Sequence, residues 1–135
     1  MSSPTEAAQM FAALAIATLA TRALSPRRVL RNTSRVCDLL MTSPAVGSRE
    51  TLAREAHTLA TSLSSMTPLS NCLDEAIAAR LWLARRGVRG DVVVGMRRAA
   101  NDGWDGHAWL VVDDEPYGLG DLHHTVVFRE SELSP

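Results

Sequence analysis

Lysine is missing from this chain: all fourteen of its cationic side chains are arginine. Schiff-base or general-base chemistry through an amine side chain is therefore excluded. An excess of charge is missing too. The formal net charge is -1, and a surface so balanced has no electrostatic pull on a phosphate backbone, which leaves no case for binding nucleic acid. Cysteine is scarce, with only Cys37 and Cys72. No basic segment precedes the first apolar run, since the first cation is Arg22, and no secretory signal is visible. The expected compartment is the reducing cytoplasm, where two such cysteines stay free. Long apolar runs are also lacking. The stretch from Ala7 to Ala20 falls short of the roughly twenty residues of a membrane span and reads as a buried helix. Internal repeats and low-complexity tracts are absent.

What is present is one domain's worth of chain, 135 residues, 46% hydrophobic and 21% charged, a globular balance expected to fold as a single domain over 1–135. Its charge is uneven: residues 1–57 hold seven arginines against four acids, and residues 58–135 seven against eleven. The first two thirds read as helices. Residues 5–22 are rich in alanine and leucine, without an internal glycine or proline. Ser25-Pro26 supplies an N-cap and a first-turn proline. From there Val29, Leu30, Thr33, Val36, Cys37, Leu40 and Met41 form one helical stripe, with Cys37 on its buried face. Ser48 caps a third helix with Leu52, Ala56, Leu59 and Leu63 as buried positions. A fourth helix begins near Asn71 and ends at Gly87, which suits a left-handed C-terminal position.

Beyond Gly87 the period changes. Asp91 to Met96 reads as a strand, and so does His107 to Val112. Asp113 to Pro116 reads as a tight turn, Tyr117 to Asp121 as the return strand and Thr125 to Phe128 as a possible last strand. Residues 97–106 read as a surface loop. Helices first and adjacent strands afterwards predict an α+β fold, with N-terminal helices packed on a small antiparallel sheet.

Three residues carry the chemistry. Cys72 falls at the predicted start of the fourth helix, where unpaired N–H groups and the helix dipole favour a thiolate and can receive an oxyanion. Asp74 and Glu75, just after it, suit a helix start. His107 can serve as the base a nucleophilic thiol needs. Asp121, returning on the neighbouring strand, comes back near the level of His107 and can fix its tautomer. Trp104 and Trp109 bracket His107 and are candidates for a substrate groove, whereas Trp82 reads as core. His123 and His124 are neighbours on a predicted strand and face opposite sides, so a metal site with Cys72 is not expected.

A helix opened by Cys72-Leu73 and ended by Gly87, a strand Asp91-Val-Val-Val-Gly95 and the run Gly106-His-Ala-Trp109 together resemble the transglutaminase-like core of lasso-peptide maturation proteases. The resemblance covers about residues 68–128. It implies a papain/transglutaminase-like catalytic core over 67–130 behind a helical half over 1–66. It also implies a Cys72 nucleophile, a His107 base and Asp121 orienting the histidine, with no metal or cofactor. The activity implied is removal of the leader segment from a ribosomally made precursor peptide. The implied partners are that precursor, a separate leader-recognition protein and a macrolactam-forming cyclase. Two other readings stay open: an acyltransferase using the same triad, and a non-catalytic scaffold that presents the precursor. The arginines of the front half (Arg22, Arg27, Arg28, Arg31, Arg35) are a candidate docking face.

Overall fold

A computed structural model describes residues 3–41, 47–67, 69–98, 103–118 and 125–133. Helices α1 (Pro4–Ala23), α2 (Pro26–Leu40), α3 (Arg49–Ser64) and α4 (Cys72–Ala84) come first. Their starts follow from local chemistry. Ser3, Ser25 and Ser48 each accept the N–H three residues on, from Glu6, Arg28 and Thr51, and prolines open α1 and α2. At α4 Asn71 Oδ1 accepts from Asp74 N and Asp74 Oδ2 accepts from Asn71 N, both at 3.1 Å, a reciprocal capping box. Gly87 closes the turn after α4 at φ +77°, as its position in the sequence predicts.

Helix α4 is the axis of the molecule. Ala76 to Ala84 are all buried, as expected of a helix apolar on every side, and it packs on α1, α2, α3 and the sheet. Trp82 is 1% exposed; its indole N–H donates to Glu6 O at 3.3 Å, and the Arg86 guanidinium lies 3.4 Å from its ring centre. Arg80, also 1% exposed, donates to Glu130 at 3.1 and 3.3 Å. The Glu130 carboxylate also accepts from Ser34 Oγ at 2.6 Å and from Val92 N at 3.4 Å. This desolvated pair joins α4 and α2 to the short terminal helix α5 (Glu130–Leu133).

Strands β1 (Asp91–Arg98), β2 (Trp104–Val112), β3 (Glu115–Tyr117) and β4 (Thr125–Arg129) form an antiparallel sheet of order β3-β2-β1-β4. Helices on one antiparallel sheet are the α+β architecture expected. Val92, Leu110 and Val112 join the core formed with α4.

Four local expectations are corrected. The hairpin turn is shorter than residues 113–116: Asp113 and Asp114 alone make it, at φ 52° and 67°, the backbone of a two-residue hairpin. Glu115 and Pro116 therefore belong to β3, an edge strand where proline costs no ladder bond. Residues Arg97, Arg98 and Trp104 to Gly106 are strand rather than loop, because they pair with one another across β1 and β2. On α3 the buried row is Ala53, Ala56, Ala60 and Ser64, while Leu52, Leu59 and Leu63 are only partly buried. The row of small side chains lets α3 lie close against α4, and the leucines flank the seam. Finally, α1 is buried on one face only: Phe11, Ile16 and Leu19 are 63, 61 and 70% exposed. No helix among the described residues is long and apolar enough to cross a membrane.

Candidate active site

Cys72 is the first residue of α4, half-buried and with a free thiol. The cap takes the N–H groups of Asp74 and Glu75, which go to Asn71 Oδ1 and to Asn71 O. Those of Cys72 and Leu73 are left at the positive end of the helix. The C-terminal end of α1 sets where this helix begins. Thr18 Oγ1 bonds Ser70 Oγ at 3.0 Å, Arg22 Nη2 donates to Leu69 O at 3.5 Å, and Thr21 Oγ1 donates to Asp74 Oδ1 at 2.6 Å. Asp74, only 1% exposed, thus spends its carboxylate on the cap and on α1. Glu75 is the acid that faces the cleft.

That cleft, about 380 Å³, opens between α3, α4 and the β2–β3 edge. Its walls bring Cys72 and Glu75 together with His57 and Thr61 of α3, His107 and Trp109 of β2, and Tyr117 and Gly118. His107 lies within β2, opposite Gly95, rather than at the strand's start. Its Nε2 is 2.6 Å from Gly118 O. A carbonyl only accepts, so Nε2 carries the hydrogen in this contact. Trp109, 5% exposed, stacks on His107 with ring centres 6.0 Å apart, as expected of residues two apart on a strand. Burial, then the Glu50 carboxylate, pushes the Tyr117 phenol up from its usual value.

Of the residues singled out from the sequence, Cys72, His107 and Trp109 share this cleft. Trp104 does not line it. By strand alternation it projects from the other side of β2, 59% exposed, with the Arg98 guanidinium 5.2 Å from its ring. Asp121, His123 and His124 lie outside the described residues. Cys37 is fully buried on α2; its thiol donates to Arg80 O at 3.8 Å, and burial pushes it up to about 12.

Sequence reasoning passed over His57. A histidine in a helical repeat carries no local mark of function, and the clue lay in α3 itself: His57 and Thr61 are four apart, hence on one face, beside the alanine row that seats α3 on α4.

A family model described as the transglutaminase-like superfamily matches residues 8–130. The match runs from α1 into α5 and takes in the helical half as well as the sheet. No curated protein matches the chain, and no solved structure does.

Proposed function

This chain belongs to the transglutaminase-like superfamily, a group whose members are typically cysteine peptidases and acyltransferases, and we propose that it is a cysteine peptidase that removes the leader from a ribosomally synthesised lasso-peptide precursor. The observation that carries the reading is the meeting of Cys72, at an open helix start, and His107 in one cleft. The finer assignment to leader removal is supported by the likeness of residues 68–128 to lasso-peptide maturation proteases.

His107 takes the thiol proton of Cys72, and the thiolate attacks the scissile carbonyl carbon. The N–H groups of Cys72 and Leu73 offer hydrogen bonds to the resulting oxyanion. As the C–N bond breaks, the imidazolium returns its proton to the leaving amine. An acyl group remains on sulfur. Water, deprotonated by His107, then attacks the thioester and regenerates the thiol. Asp121 is assigned the role of orienting the imidazolium, and Trp109 that of a wall for the substrate chain. A separate recognition protein delivers the leader, and a cyclase closes the core peptide. The exposed arginines Arg27, Arg28, Arg31 and Arg35 of α2 are the face proposed for docking that partner.

Mass spectrometry of a lasso-type precursor incubated with this protein and its recognition partner tests the reading. Free leader should appear with the wild type and not with Cys72→Ala, and Asp121→Asn should be strongly slowed. An amine-linked product in place of free leader would assign acyl transfer instead. Equal processing by Cys72→Ala would leave only a scaffold.

A further inference from the structure

Two imidazoles meet at one glycine. The carbonyl of Gly118 accepts from His107 Nε2 at 2.6 Å. The Cα of the same residue lies against His57: a Cβ built there would stand 3.2 Å from His57 Cε1 and 3.6 Å from its Nδ1. At φ +91° Gly118 occupies the left-handed region that favours glycine. Glycine is thus favoured for its backbone angle, and a Cβ there would press on the His57 ring, which would have to give by a few tenths of an ångström. The backbone of His57 belongs to α3, and its carbonyl accepts from Thr61 Oγ1 at 2.9 Å. The order of contacts is therefore helix α3, His57 ring, glycine, carbonyl, His107.

We propose that His57 is a positioning residue for His107 that acts through Gly118. Its flat ring backs the glycine and holds the carbonyl where it selects the Nε2–H form of His107. The inference rests on Cys72 and His107 being the reacting pair. A glycine without that backing has a wide range of backbone angles open to it, and its carbonyl then ceases to discriminate between the two tautomers. Among the described residues, the remaining titratable groups that line the cleft are Cys72 and Glu75 of α4 and Tyr117 of β3.

The test uses the full chain labelled with ¹⁵N and correlation spectra of its histidine rings, recorded above the histidine titration range and assigned with His107→Ala. Wild type should show His107 as the Nε2–H tautomer. His57→Ala should populate both tautomers and slow alkylation of Cys72 by iodoacetamide about fivefold to tenfold, the bias one neutral hydrogen bond supplies. His57→Phe, which keeps a flat ring, should restore both readouts. An unchanged spectrum and rate in His57→Ala overturns the proposal, and so does a loss in His57→Phe as large as in the alanine variant. If the alanine variant does not fold, His57→Gln fills the space without a ring and faces the same two outcomes. The reading of the pair fails separately: His107→Ala would then alkylate at the wild-type rate, whatever the tautomer spectra show.

Discussion

Helix α4 has a hollow on each flank, and the two are close in size. One, about 380 Å³, holds Cys72, Glu75, His57, His107 and Tyr117. The other, about 340 Å³, is a trough between α1 and α2 floored by Ile77, Leu81 and Trp82 and walled by alanines and Ile16, with Arg85 the one charged residue among the described residues that line it. Both draw on the same helix, through different rows: residues 72, 75, 76 and 79 face the first, and 77, 81, 82 and 85 the second. The two cysteines divide similarly. Cys72 sits at the open end of α4, whereas Cys37 lies sealed beneath it. Volume does not tell these places apart. What separates them is whether titratable groups converge where backbone N–H groups stay available.

That contrast can be broken at several points. The largest expected effect is on chemistry alone: Cys72→Ala should reduce leader release at least about a thousandfold while the melting temperature stays within a few degrees of the wild type. Peptide mass spectra and a thermal melt of the same sample read both. Trp82→Ala, on the other flank, should do the reverse. It should lower stability by about 3–5 kcal/mol in urea titration and leave the Cys72 alkylation rate of the folded fraction unchanged. A large rate change there would mean that the flanks are coupled.

Smaller effects sharpen the division. The folded-state thiol of Cys37 titrates near 12, against an ordinary value of 9.0. Above pH 9 the unfolded chain sheds a proton that the folded chain keeps, so stability is full below that pH and declines towards 12. The slope contributed is at most about 1.4 kcal/mol per pH unit. Urea midpoints at increasing alkaline pH should fall for the wild type and fall less for Cys37→Ala. Asn71→Ala, which removes half of the capping box, should cost about 1 kcal/mol and slow Cys72 alkylation modestly, since it frays the end that carries the thiol. Last, Ile16→Ser on the exposed lip of the trough should change stability by less than about 0.5 kcal/mol. A larger loss by calorimetry would show that the lip is packed in solution.

Much of this was legible in the residues. Ser25-Pro26, Ser48 and Gly87 marked the ends of helices because capping is local chemistry, and a fourth helix beginning near Asn71 put Cys72 at a helix start. Elements whose form depends on a partner were harder to read. Arg97, Arg98, Trp104 and Asp105 look like loop residues, and they become strand only because β1 and β2 bring them opposite each other. The seam of α3 misled for a related reason: hydrophobicity favours leucine as the buried residue, but close approach to α4 selects alanine. His57 and Gly118 had no short-range signal. They meet across sixty-one positions of chain, and only tertiary packing makes them neighbours.

The Arg80–Glu130 pair has a consequence for how the molecule comes into being. Synthesis delivers Arg80 fifty residues before its counter-charge. Until Glu130 has left the ribosome, helix α4 holds an arginine that its folded surroundings would strip of water without compensation, a penalty of several kcal/mol. A chain interrupted anywhere ahead of that carboxylate is in the same position. The short helix α5 therefore acts as a late clasp: the helix that begins at Cys72 gains its buried counter-charge only once residue 130 has been made.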